Sequence, residues 1–151
     1  MKLPRPFRIV AVDYEPFVLE ILGRLFQAEF DQVTVMSFSD SSDAWKELLR
    51  ADPDLLITEF TMPGLHGKEM LQRLLERKAA YRIVVMSGLV EFEQTVQEFA
   101  RCGLNVRFLP KPFTIESFRE ALNISNGIPS FSPALTRNGD AGSASKTFHQ
   151  P

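Results

Sequence analysis

The chain has 151 residues, 44% of them hydrophobic and 24% charged, which suits one globular domain with an ordinary core and a short extension. A formal net charge of -2 gives no reason to expect binding to nucleic acid or an anionic membrane, and the single cysteine, Cys102, excludes an internal disulfide. Basic residues precede the apolar run FRIVAV, but about six residues are too few for a signal peptide or a membrane span, so a cytoplasmic location is expected.

Phe7 to Val12 reads as a buried strand, with Pro4 and Pro6 marking its outer boundary. EPFVLEILGRLFQAEF follows as a helix, with Phe17, Ile21, Leu25 and Val18, Leu22, Phe26 at helical spacing and Pro16 in the first turn. VTVMSF, 33–38, is a second strand. SDSSDAWKELLR is a helix opened by a Ser/Asp capping cluster, with Ala44, Leu48 and Leu49 inward. DLLIT, 54–58, is the third strand, and KEMLQRLLERK, 68–78, a helix whose apolar stripe is Met70, Leu71, Leu74 and Leu75.

RIVVMS, 82–87, is a fourth strand. The helical pattern EFEQTVQEFARCG sets Phe92, Val96, Phe99 and Ala100 on one face, with Gly103 as its stop. VRFL, 106–109, is a fifth strand and TIESFREAL, 114–122, a last helix capped by Thr114. From Ile124 onward the chain is rich in Ser, Gly, Asn and Pro without period, so residues 124–151 are expected to form a disordered tail. Within it, Phe131 to Leu135 is a candidate docking segment.

Five β-then-α units with near-continuous Val/Ile/Leu strands predict an α/β fold, a doubly wound parallel sheet covered on both faces. Chemistry in such sheets gathers just beyond the C-terminal strand ends. There the chain places Asp13, Tyr14 and Glu15 after the first strand, Glu59 after the third, Ser87-Gly88 after the fourth and Lys111-Pro112 after the fifth. Carboxylates hold a hard divalent cation through oxygen, and a hydroxyl and an ammonium bind the oxygens of a transferred group.

The motifs VDYEP (12–16), DLLITEFTMPGLHG (54–67), VVMSG (84–88) and FLPKPF (108–113), in this order and spacing, resemble those of the response-regulator receiver domain, the CheY-like module of two-component signalling. The resemblance covers residues 7–123. It implies a flavodoxin-like, three-layer sandwich with a five-stranded parallel sheet ordered 2-1-3-4-5. It also implies an aspartate phospho-acceptor after the third strand, with Mg²⁺ held by that acid, an acidic pair after the first strand, and a carbonyl two residues past the acceptor. Carried over, the retained members are Asp13 as first of the acidic pair, Ser87 and Lys111 for phosphoryl oxygens, Phe108 at the switch-aromatic position, and a Lys111–Pro112 bond often cis in the family.

Two positions depart. The acceptor position holds Glu59, and the second acid of the pair is Tyr14. One extra methylene pushes the carboxylate oxygens out by about 1.5 Å, and a misplacement of roughly 1 Å costs about a hundredfold in an in-line transfer. A cation site of Asp13, Glu59 and the Thr61 carbonyl should hold Mg²⁺ weakly.

The resulting expectation is a single-domain pseudo-receiver, not an enzyme, that signals by protein contact through a degenerate site. Its partner would be a histidine kinase or another signalling protein, met through the fourth helix, fifth strand and fifth helix, where Phe92, Glu93, Gln97, Arg107 and Arg119 are candidates; no nucleic acid or membrane partner is expected. Glu59 could act as a fixed charge beside Lys111, bias the fold towards an active-like surface, or remain phosphorylatable with Mg²⁺. A flavodoxin-like binder or enzyme is the rival from another class, but no glycine-rich loop follows the first strand, and Thr61 stands where a dehalogenase-type phosphatase needs a second aspartate. Other roles stay open: Asp13 and Ser87 as caps, Phe108 as core. His66 is expected to be exposed.

Overall fold

A computed structural model describes residues 5–125 and 128–129 of the chain. Five strands, β1 (Phe7–Val12), β2 (Val33–Phe38), β3 (Leu55–Glu59), β4 (Arg82–Ser87) and β5 (Val106–Pro110), alternate with five helices, α1 (Pro16–Glu29), α2 (Ser41–Arg50), α3 (Gly67–Glu76), α4 (Phe92–Arg101) and α5 (Ile115–Leu122). The strands form one parallel sheet in the order β2-β1-β3-β4-β5. The doubly wound architecture and the strand order implied by the resemblance are both present.

Successive side chains of a strand point to opposite faces, so a continuous apolar run feeds two cores at once. Ile9, Ala11, Leu55, Ile57, Val84 and Met86 pack on one face with Leu22 and Phe26 of α1 and Phe118 and Leu122 of α5. Val10, Val12, Leu56, Ile83 and Val85 pack on the other with Leu48 of α2, Leu71 of α3 and Val96 of α4. All the strand residues named are essentially inaccessible to water. The rings of Phe26 and Phe118, 5.3 Å apart at 52°, join α1 to α5.

The structure corrects several expectations. Of the two apolar rows on α1, only Leu22 and Phe26 are buried; Phe17 is 72% exposed and Ile21 lies on the surface. Adjacent rows on a helix share the same spacing, and only the neighbouring elements decide which row is covered. Ala100 of α4 is exposed for the same reason. Strand β3 runs one residue further than predicted, so Glu59 closes the ladder opposite Met86. Asp54 sits just before β3, its carboxylate taking two hydrogen bonds from the Arg5 guanidinium and one from the Arg8 N–H. Where no regular structure was expected, β6 (Ile124–Ser125) pairs antiparallel with β7 (Ile128–Pro129). The remainder of the predicted tail, including Phe131 to Leu135, lies outside the described residues.

Candidate functional site

Register brings the acids together. Val12 of β1 pairs with Thr58 of β3, so the next residue on each strand, Asp13 and Glu59, lies side by side at the sheet edge. Ser87 of β4 pairs with Pro110 of β5, and the Lys111 N–H donates to the Ser87 carbonyl at 2.8 Å. The Lys111–Pro112 peptide bond is cis.

From that position the Lys111 side chain crosses the strand ends. Its Nζ donates to Asp13 Oδ2 at 2.7 Å and reaches Glu59 Oε1 at 2.7 Å. The Asp13 side chain is wholly buried, Glu59 is 6% exposed and Lys111 18%. Each remaining carboxylate oxygen is also engaged: Asp13 Oδ1 accepts the Glu15 N–H at 2.9 Å, and Glu59 Oε2 accepts the Thr61 N–H at 3.1 Å. Asp13 thus closes the turn into α1 through the Glu15 N–H and also pairs with Lys111, a contact expected from the sequence only for Glu59. Burial works against the ammonium's charge, but the hydrogen bonds and charges of Asp13 and Glu59 outweigh it and hold the Lys111 pKa above its ordinary value.

The other predicted residues stand around this triad. Ser87 is buried at the end of β4, and its Oγ accepts the Leu89 N–H at 3.0 Å across the turn that follows. Phe108 is half-buried and packs against the core cluster that contains Val85 and Val106. Tyr14 is half exposed, and His66 is exposed with its ring edge-on to Phe60 at 5.6 Å. The loop carrying Thr61 is pinned from several sides. The Ser41 hydroxyl donates to the Pro63 carbonyl at 2.8 Å, and the Gly67 N–H donates to the Phe60 carbonyl at 3.0 Å. Gly64 takes φ +84°, in the left-handed region that favours glycine.

Phe60 escaped the sequence reading. Its ring stacks on Phe92 with centroids 4.3 Å apart, tying the residue after Glu59 to the first turn of α4. The signal available was an aromatic immediately past the strand-end acid, which has no periodic pattern to mark it. On the predicted partner surface, Glu93 and Gln97 are exposed and bonded to each other at 3.4 Å. Arg107 is exposed and donates to the Glu120 carbonyl at 3.2 Å. Arg119 departs from that face: its Nε pairs with Glu29 of α1 at 3.2 Å.

The donor set does not fit Mg²⁺ as it stands. A metal held by Asp13 and Glu59 would occupy the space between their oxygens, and that space holds the Lys111 ammonium. Among the described residues no group of three His, Cys, Asp or Glu side chains could hold an ion. Tyr14 supplies no second acid, and Thr61 offers only its carbonyl.

Residues 9–123 match the family described as response regulator receiver domain. A protein-glutamate methylesterase/protein-glutamine glutaminase of Nitrobacter winogradskyi is 31% identical over 116 residues, covering 76% of this chain and 26% of that protein. Its counterpart from Thermotoga maritima is 25% identical, with 88% of this chain and 42% of that protein covered. The chain thus spans well under half the length of these curated relatives. Among solved structures, a chemotaxis response regulator of Vibrio cholerae superposes with a TM-score of 0.64 at 21% identity, over 78% of this chain and 97% of that one. No helix among the described residues is long and apolar enough to cross a membrane.

Proposed function

The chain belongs to the response regulator receiver domain family of two-component signalling, and from that premise we propose that it signals by protein contact, its phosphorylation pocket closed by an internal ion-pair triad. The observation that carries the proposal is Lys111 Nζ at 2.7 Å from both Asp13 Oδ2 and Glu59 Oε1. A phosphoryl group arriving at Glu59 would need that ammonium, a free carboxylate oxygen and a divalent cation. The ammonium and both oxygens are engaged, and Tyr14 stands where a second acid would help hold a cation. The domain's output is then the shape of its surface and not catalysis.

The partner is a signalling protein such as a histidine kinase or an effector. The α4–β5 surface, with exposed Glu93, Gln97 and Arg107, is the face assigned to it. Ser87 bonded to Leu89 and Phe108 packed on the core favour one fixed surface over a switching one. The methylesterase and glutaminase activities in the relatives' names are left with those proteins.

The test is incubation with acetyl phosphate and Mg²⁺, followed by intact mass before and after mild base. No adduct is expected on the native chain. A base-labile phosphoryl adduct that disappears in Glu59→Gln would overturn the proposal. The paired substitution Glu59→Asp with Tyr14→Asp restores both missing acids and is expected to yield an adduct, which checks that the pocket itself is correctly placed.

A further inference from the structure

An apolar groove of about 390 Å³ lies beside the triad, lined by Phe17, Val18 and Ile21 of α1 and by Pro112 and Phe113 after β5, with Glu15 and Lys111 at its edge. Of its lining, Phe17 is 72% and Ile21 36% exposed, and the neighbouring residues in sequence, Tyr14 and Ile115, are exposed as well. Exposed apolar groups clustered in this way mark a surface that something covers. We propose that this groove is covered by the chain's own segment Phe131–Leu135.

The course of the chain supports this occupant. Helices α1 and α5 lie side by side on one face of the sheet, sharing the cluster of Leu22, Phe26, Phe118 and Leu122. The Arg119–Glu29 pair joins their C-terminal parts, while Phe113 stacks on Phe118 at 5.9 Å near the groove. The chain leaves α5 at Asn123, a helix length from the groove, and the β6–β7 hairpin sets Pro129 opposite Ile124, so the chain is no further from the groove when it reaches residue 130. An eight-residue helix is about 12 Å long. The six residues 130–135 reach up to about 20 Å when extended, enough to return along the seam between α1 and α5.

Composition and size point the same way. Residues 128–136, IPSFSPALT, carry no charge in a chain that is 24% charged, and they space Phe131, Pro133 and Leu135 at alternate positions. A groove of about 390 Å³ is a site for a few side chains, not for a domain face. A second copy fits less well. The groove takes a few side chains, whereas a stable interface between copies buries roughly 800 Å² on each partner. A tethered segment needs no such area, because its effective concentration is in the millimolar range.

The test uses the full chain with Cys102→Ser and Thr136→Cys, a nitroxide on the introduced thiol, and amide signals read by ¹⁵N NMR. The amides of Phe17, Ile21 and Ile115 are expected to lose about half or more of their intensity at a millimolar effective concentration. Phe131→Ser with Leu135→Ser, and separately Phe17→Ser with Ile21→Ser, should each restore it. Unchanged intensities in the labelled chain would overturn the proposal, as would attenuation spread evenly over α4 and β5. Attenuation that persists when the nitroxide is carried only by ¹⁴N copies mixed with unlabelled ¹⁵N chains would give the groove to a second copy and equally overturn it.

Discussion

Replacing Lys111 by methionine keeps the length and apolar stem of the side chain and removes only the ammonium. Two carboxylates, one wholly buried and the other 6% exposed, then face each other without the cation that separates them. Breaking a buried pair by removing one partner costs about 3–5 kcal/mol, because the charge left behind is uncompensated. Lys111 itself is 18% exposed, so water screens part of the interaction and the lower end, about 3 kcal/mol, applies. That is a large share of the roughly 5–15 kcal/mol holding a domain together. Urea unfolding at neutral pH reads it directly: with a slope of about 1.5 kcal/mol/M the midpoint should fall by about 2 M at unchanged slope. Adding Glu59→Gln to Lys111→Met removes one of the facing charges while leaving an oxygen for the Thr61 N–H. The double variant should therefore be less destabilised than the sum of the single ones by about 1–3 kcal/mol. A loss below about 0.5 kcal/mol for Lys111→Met, typical of an exposed ion pair, would refute a fixed triad.

The same pair sets an alkaline limit. With its folded pKa raised above the ordinary 10.5, Lys111 contributes stability that is complete below 10.5 and lost as pH rises through the folded value. From neutral pH upward the stability gap between native chain and Lys111→Met should thus narrow only above that pH; a gap that closes between neutrality and that pH counts against the assignment. Gly67→Ala sets a Cβ 2.4 Å from the Phe60 carbonyl oxygen and 2.8 Å from its ring. A loss of about 1–3 kcal/mol is expected, seen as a lower thermal midpoint, and an unchanged midpoint would mean the loop yields freely. Asp40→Ala removes the side chain that accepts the Ser42 and Asp43 N–H groups at the start of α2, at a cost of about 1 kcal/mol in the same melts. Asp40→Asn should recover most of it.

The sheet was legible because its three central strands are buried on both faces, and a run such as Ile9 to Val12 or Leu55 to Ile57 leaves no face for water. Asp13, Glu59 and Lys111 were legible because parallel strands place their C-terminal residues along one edge, whatever the loops do. Side-chain direction was not. The bond that Ser87 Oγ accepts from the Leu89 N–H belongs to a local turn that leaves no periodic trace. Arg119 sits on the helix expected to meet partners, yet its position around that helix faces Glu29 of α1. Phe17 and Leu22 belong to rows of equal apolar character, and only the packing of α5 against α1 covers one of them.

Glutamate's length matters here through what it lets the carboxylate hold. One oxygen of Glu59 extends to Lys111 while the other accepts the Thr61 N–H, two residues along its own chain. For Glu59 to attack a phosphoryl group, one of those oxygens must first be released. A hydrogen bond to a charged group contributes about 1.5–3 kcal/mol, so each release slows the step by roughly ten- to a hundredfold, in addition to the misplacement in distance. Freeing the Lys111 side also leaves Asp13 as its sole counter-charge, because position 14 carries a phenol and brings no cation in exchange. Shortening the acid alone would therefore leave the pocket without its second metal-binding carboxylate. For that reason the restoring variant must change Tyr14 together with Glu59.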